Sequence, residues 1–109
     1  MDFRVRHAIR LISEDLSRSL VLGEIARAVN LSQPRLRYLF RAETGMTPAQ
    51  YLKSLRMKRA KELLEDEGTF LNVKQIMLRV GVKDQSHFVR DFRELYGQTP
   101  SEYRKRVRG

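Results

Sequence analysis

The sequence has 109 residues, 41% of them hydrophobic, and a formal net charge of +9 from 22 lysines and arginines against 13 acidic residues. Its length fits one compact domain or two small ones, and its charge indicates a polyanionic partner, either nucleic acid or an acidic membrane surface. The absence of cysteine excludes disulfides, thiolate zinc sites and cysteine nucleophiles, and fits a reducing compartment. Charges interrupt residues 1–16 throughout, so we expect neither a signal peptide nor a membrane span, and a cytoplasmic protein.

Helices are predicted in the first half because apolar residues recur every three or four positions and do not alternate. The apolar positions from Phe3 to Leu16 predict a first amphipathic helix, and those at 25–29 predict a short second one. Asn30 tolerates the left-handed conformation of a tight turn, and Ser32 is placed to cap a third helix. That third helix carries Leu36, Leu39 and Phe40 as its apolar face.

Three capping boxes mark helix starts in the rest of the chain. Each pairs a Thr or Asn with a Gln or Glu three residues later, and two of them add proline at the first helical position. They predict a long helix over 47–65, a shorter one with Ile76, Met77 and Val80, and a last helix with Tyr103. Gly81 makes a turn before a further helix with Phe88 and Phe92 on one face. The sequence therefore predicts an all-α fold of about seven helices.

The sequence contains an internal repeat. Gly45, Pro48 and Tyr51 recur 52 positions later as Gly97, Pro100 and Tyr103, whereas Ile25, Val29 and Leu31 recur 51 positions later as Ile76, Val80 and Val82. The second turn must therefore be one residue longer than the first. Because turn, cap and apolar positions correspond while the exposed residues differ, we interpret the chain as one supersecondary unit made twice.

A helix, a tight turn and a second helix with polar and basic residues in its first turns is the helix-turn-helix pattern. The run at 81–93, GVKDQSHFVRDFR, followed by YG at 96–97 and TPSEYR at 99–104, resembles the signature of the AraC/XylS-type transcription regulators. The first half resembles the same family through LS at 31–32, LFR at 39–41, TG at 44–45, TP at 47–48 and YL at 51–52. The resemblance covers nearly the whole chain.

This resemblance implies one DNA-binding domain with two helix-turn-helix subdomains joined by a long linker helix. The expected divisions are a first unit at 1–46, the linker helix at 47–67 and a second unit at 68–109. Double-stranded DNA and RNA polymerase are the implied partners, and the implied location is the bacterial nucleoid. Family members usually join such a module to a sensing or dimerising domain, although some stand alone, and nothing in this chain is expected to bind a ligand.

The resemblance also assigns the two recognition helices their exposed faces. The first departs from the usual family pattern at Tyr38, where a basic residue is common, and the second departs at Asp91, where an apolar residue is common. The predicted DNA-binding residues are Pro34, Arg35, Arg37, Tyr38 and Arg41 in the first unit, and Lys83, Gln85, Ser86, His87, Val89, Arg90 and Arg93 in the second.

Other interpretations stay open for several of these residues. Arg90 can instead pair within its helix with Glu94, four positions on, and His87 can be an ordinary surface histidine. The acidic run at 62–67 is typical of a solvated helix end. Since no phosphate loop, nucleophile with a base, or metal-ligand spacing is present, we predict no catalysis, cofactor or metal. The alternative function is a basic helical module that binds RNA or acidic membrane without sequence specificity.

The predicted length of the linker helix is compatible with reading one face of DNA. Nineteen residues of helix at about 1.5 Å each span somewhat under 30 Å, and successive major-groove segments on one face lie roughly 34 Å apart. Because the exposed residues of the two recognition helices differ, we expect the two half-sites to differ in sequence.

Overall fold

The computed structural model describes all 109 residues and contains helices, turns and connections but no strands. This confirms the predicted all-α class with seven helices. None of the seven combines the length and the apolar character that a bilayer span requires. The helices are α1 (Phe3–Glu14), α2 (Leu22–Ala28), α3 (Gln33–Thr44), α4 (Pro48–Glu65), α5 (Val73–Arg79), α6 (Gln85–Tyr96) and α7 (Pro100–Arg108).

The two tight turns form as predicted. Asn30 has φ of 59° and Gly81 has φ of 91°, so both turns pass through the left-handed region that few residue types tolerate. Each turn leads into a capped helix: the Arg35 amide donates to Ser32 Oγ at 3.2 Å, and the His87 amide donates to Asp84 Oδ1 at 2.9 Å. The caps lie 52 residues apart, whereas the turn residues lie 51 apart, which confirms the longer second turn.

All three capping boxes are present. In each, the cap side chain accepts from a backbone amide three residues on, and the Gln or Glu side chain accepts from the backbone amide of the cap residue. These reciprocal hydrogen bonds satisfy amides that would otherwise lack a partner at a helix start. They fix where α4, α5 and α7 begin, each one residue after its cap, which is Thr47, Asn72 or Thr99.

The chain divides into two compact units, Met1–Leu55 and Arg56–Gly109, with the boundary inside α4. In the first unit, α1, α2, α3 and the beginning of α4 enclose a core in which Leu36 and Phe40 are fully buried. The Phe40 ring meets the Tyr51 ring edge-on, with centroids 5.3 Å apart. The other buried core residues of this unit are Val5, Ala8, Ile12, Ala26, Val29 and Leu52.

Two details of the first helix differ from the prediction. Phe3 is 74% exposed, because it is the first residue of α1 and the apolar face that reaches the core begins at Val5. Leu16 packs against the core but lies beyond the helix, which ends at Glu14. An apolar repeat alone does not show where its helix stops.

The second unit encloses a more aromatic core. Phe92 lies 4.7 Å from Tyr96, 5.7 Å from Tyr103 and 6.2 Å from Phe88 between ring centroids. The Tyr103 hydroxyl donates a hydrogen bond to Glu65 near the end of α4. Burial of this hydroxyl, together with that hydrogen bond, raises the pKa of Tyr103 to about 12. The α7 helix is thereby attached to α6 through an aromatic contact and to α4 through a hydrogen bond.

The repeat extends further than the sequence comparison recognised. Val5, Ala8 and Ile12 are buried on α1, and Met57, Ala60 and Leu64, each 52 positions later, are buried on the second half of α4. The first half of α4 supplies Leu52 to the first core, whereas α7 supplies Tyr103 to the second. The α4 helix therefore completes the first unit and begins the second.

Candidate nucleic-acid interface

The outer face of α3 presents a group of basic residues. Leu36 and Phe40 turn into the core, Leu39 packs against it half-buried, and the polar residues of the first three turns remain exposed. The Pro34 ring occupies the first turn of the helix, where its missing amide costs no hydrogen bond. All five residues predicted on this helix are exposed, namely Pro34, Arg35, Arg37, Tyr38 and Arg41.

The α6 helix has the same division into two faces. Phe88 and Phe92 are fully buried, while the residues predicted to face DNA line the opposite side. A shallow groove on this side is lined by Gln85, Ser86, Val89, Arg90, Arg93 and Glu94. Of the seven predicted residues in this unit, six are exposed and Val89 is half-buried; the six are Lys83, Gln85, Ser86, His87, Arg90 and Arg93.

One exposed residue of the same kind was missed. Gln33 is the first residue of α3, as Gln85 is of α6, and the two lie 52 positions apart. Gln33 is exposed, and its amide group lies near Gly23, so that a Cβ added at Gly23 would come within 3.1 Å of the Gln33 nitrogen. The repeat offset alone would have identified this position.

The arginines of the two helices have different partners. No carboxylate lies within 4 Å of Arg35, Arg37 or Arg41, so no ion pair engages these guanidinium groups. On α6, Arg90 Nε lies 3.4 Å from Asp91 Oδ1. The partner that the alternative interpretation predicted, Glu94, is not the one observed. Asp91 is adjacent in sequence, and its side chain is only 13% exposed.

The helices also differ in charge. The α3 helix carries a net charge of +2 from three arginines and one glutamate. The α6 helix has two arginines, one aspartate and one glutamate, and is neutral apart from its histidine. Phosphate attraction should therefore be stronger at α3, whereas on α6 the cation Arg90 lies beside the carboxylate of Asp91.

The start of α6 is held by a carboxylate where α3 uses a hydroxyl. The hydrogen bond from the His87 amide, followed by the charge of nearby His87, lowers the pKa of Asp84. The His87 Nδ1 atom lies 4.0 Å from Asp84 Oδ2. The exposed imidazole of His87 thus lies beside a carboxylate at the start of α6.

Two other features of the surface are less suited to a polyanion. A groove in the first unit has an apolar floor, but three carboxylates and one guanidinium edge it, from Glu14, Asp15, Glu24 and Arg18. At the carboxyl end of the chain, Arg108 Nη2 donates to the backbone oxygens of Asp66 at 2.6 Å and Thr69 at 3.3 Å. Arg108 therefore holds the connection between α4 and α5.

Comparison with known proteins places this geometry in a family. A family described as "Helix-turn-helix domain" matches residues 25–106. The arabinose operon regulatory protein of Escherichia coli K12 is 36% identical over 105 residues, which are 95% of this chain and 35% of that protein. The Msm operon regulatory protein of Streptococcus mutans is 32% identical over 103 residues, which are 94% of this chain and 36% of that protein. The chain thus spans about a third of the length of these relatives.

Two solved structures have the same fold. A probable AraC family transcriptional regulator from Rhodopseudomonas palustris superposes with a TM-score of 0.91 at 27% identity, covering 99% of this chain and 100% of that one. The DNA-binding domain of AdpA, described as a global transcriptional factor and solved in complex with a target DNA, superposes with a TM-score of 0.86 at 25% identity, covering 96% and 93%. The repeated unit, the family match and these relatives together show that the chain belongs to the AraC-type helix-turn-helix family of DNA-binding transcription regulators.

Proposed function

We propose that this chain binds double-stranded DNA sequence-specifically through α3 and α6, each in a major-groove segment, and thereby regulates transcription. The observation that carries the proposal is that both helices bury one apolar face and expose the other, with 11 of the 12 predicted contact residues exposed. A helix with a supported inner face and a free, polar outer face is the form in which helix-turn-helix proteins read base edges.

The chemistry of the exposed side chains supports the same role. Arginine can donate two parallel hydrogen bonds to the O6 and N7 atoms of guanine, and glutamine can do the same for adenine. Arg35 and Arg90 lie on the two helices with Gln33 and Gln85 at their starts. The remaining cations, such as Arg37, Arg41 and Lys83, suit phosphate contacts that position the protein without reading sequence.

The proposed role is binding, without catalysis. This accords with membership of a family of DNA-binding transcription regulators. We further propose RNA polymerase as a functional partner and the bacterial nucleoid as the location. For the whole protein, we propose a sensing or dimerising domain attached to this module, in keeping with relatives about three times as long.

The test begins with selection of bound duplexes from a random DNA pool, followed by footprinting on the selected site. We expect two protected major-groove segments of different sequence on one face of the duplex. Inserting about five base pairs, half of a roughly 10.5-base-pair turn, between the segments should abolish tight binding. If only one segment is protected, or if the insertion is tolerated, then only one helix reads DNA.

Competition separates this proposal from its alternative. Excess RNA of matched length, and vesicles of acidic lipid, should displace the selected duplex no better than unselected DNA does. Competition by RNA or acidic vesicles as effective as that by the selected duplex would favour a non-specific basic module.

A further inference from the structure

An arginine and a tyrosine lie against each other on the outer face of α3. The guanidinium carbon of Arg35 is 5.3 Å from the centroid of the Tyr38 ring. Residues three apart in a helix are neighbours on one face, and a guanidinium within about 6 Å of a ring centroid is attracted by the negative face of the ring. The two side chains thus form a cation–π pair on the helix surface.

This pair does not serve the core. Tyr38 is 64% exposed, whereas the α3 residues that support the fold, Leu36 and Phe40, are fully buried. The Tyr38 hydroxyl donates no hydrogen bond within the protein, and the Arg35 guanidinium has no carboxylate within 4 Å. The ring is therefore the side-chain group that orients this guanidinium.

We propose that Tyr38 is a positioning residue, whose ring holds the Arg35 guanidinium in the orientation that meets a base edge. This inference rests on the proposed function of α3 in DNA binding. A free arginine side chain samples many rotamers, and part of that freedom is lost whenever its fork binds. Restricting the side chain before binding reduces that cost, and Tyr38 restricts it without leaving its own helix.

The kind of contact matters as much as the restriction. A carboxylate partner would accept hydrogen bonds from the N–H groups and neutralise the charge, whereas an aromatic ring leaves the guanidinium charged and supplies no oxygen acceptor for its five N–H donors. Arg35 therefore keeps both its charge and its hydrogen-bonding fork while its position is fixed.

The matching position in the second unit makes the role specific to this helix. Tyr38 and Arg90 lie 52 residues apart, at the same place in α3 and α6. Arg90 carries its own guanidinium there, with Nε beside Asp91, and the counterpart of Arg35 is His87. Arg35 of α3 thus lies about one turn before the position that matches Arg90. The tyrosine ring occupies that matching position.

The experiment compares Tyr38→Leu with Tyr38→Phe, using the duplex selected by the unchanged protein and a panel with every base pair of the α3 segment substituted. Tyr38→Phe keeps the ring and loses only the hydroxyl. We expect Tyr38→Leu to weaken binding by about two- to fivefold, the size of an exposed cation–π contact. Discrimination should fall at the base pair where Arg35→Ala also loses it, and Tyr38→Phe should retain both affinity and discrimination.

A double variant provides the decisive reading. Once Arg35→Ala has been made, adding Tyr38→Leu should weaken binding by less than twofold, because the ring then has no guanidinium to hold. Full additivity, an unchanged Tyr38→Leu variant, or a Tyr38→Phe variant as weak as Tyr38→Leu would each overturn the proposal, the last by showing that the hydroxyl contacts DNA. If the unchanged protein shows no selective DNA binding, the proposed function itself is refuted. Thermal unfolding checks that all variants remain folded, as expected for an exposed position.

Discussion

The two helix-turn-helix units have the same frame but different outer faces. The α3 and α6 helices each have 12 residues, an N-terminal side-chain cap and a left-handed glycine at the end, with φ of 75° and 77°. Their outer faces differ in charge, in the position of the arginine and in what holds it, a tyrosine ring for Arg35 and a carboxylate for Arg90. The comparison shows that the residues that set the fold and those that face outward are separate sets, so that one set can diverge without the other.

Substitutions in the core should have the largest effect on the free energy of unfolding, and should have it in both units. Phe40→Ala and Phe92→Ala each remove a fully buried ring at matching positions, and we expect each to lower the free energy of unfolding of its own unit by about 3–5 kcal/mol. Denaturant unfolding followed by circular dichroism, with amide exchange to locate the weakened unit, measures this. Phe70→Ala is the control, because Phe70 is wholly exposed and its loss should change stability by less than about 0.5 kcal/mol. Equal weakening at Phe70 would refute the assignment of the core.

The arginines test whether the two outer faces read different bases. Arg90→Ala should cost roughly 1–3 kcal/mol of binding free energy at the selected site if the side chain reads a base pair. The loss of discrimination should fall in the α6 segment, and that of Arg35→Ala in the α3 segment. Arg90→Lys keeps the charge but lacks the planar fork, so discrimination should still fall. A drop in folding stability with unchanged preference among sites would show that Arg90 is structural.

The salt dependence of DNA affinity should reflect the difference in net charge between α3 and α6. Removing one phosphate contact weakens binding uniformly across sequences and lowers the slope of log affinity against log salt by about 1. We expect this for Arg37→Gln on α3, where no carboxylate competes for the guanidinium. The opposite change in charge, Glu94→Gln on α6, removes a negative charge and should strengthen binding slightly at low salt. Binding of the unchanged protein that does not weaken with salt would contradict a phosphate contribution.

The smallest expected effect is a difference in the acid sensitivity of folding stability between the caps of α3 and α6. The pKa of Asp84 is lowered in the folded protein below its ordinary value of 3.8, so its contribution to stability is present above that value and is lost as the pH falls through the lowered pKa. Ser32, the matching cap on α3, does not titrate. Asp84→Ser should therefore unfold less steeply than the unchanged protein as the pH falls below about 4. Equal pH dependence of the two proteins in urea unfolding would show that the cap carries no such linkage.

Local signals made most of the fold predictable. Caps, turns and capping boxes depend on residues three or four apart, and Ser32, Asn72 and Gly81 all act as their types require. The position of Phe3 was wrong because periodicity does not reveal whether a neighbour covers the end of a helix. The sequence comparison did not extend the repeat into α4, because only Ala8 and Ala60 are identical there. The buried positions on either side of them carry different apolar residues in the two units.

The outer faces were predictable as sets of residues but not as contacts. The spacing of Leu36 and Phe40 indicates which residues of α3 point outward, and all five predicted there are exposed. The partner of Arg90 depended on a side-chain rotamer, since Asp91 and Glu94 were both within reach of it in sequence. The contact between Arg35 and Tyr38 likewise required side-chain positions, because a separation of three permits a stack without requiring one.

The burial pattern of α3 and α6 has a consequence for how such a protein changes over evolutionary time. Since Phe88 and Phe92 supply the packing of α6 while Gln85, Ser86 and Arg90 face solvent, substitutions at the exposed positions should usually change stability by no more than about 0.5 kcal/mol. A lineage can therefore move to a new operator one half-site at a time, keeping the other half as an anchor. Two diverged units in one chain allow a graded change of regulatory target, whereas a symmetric dimer must change both half-sites at once.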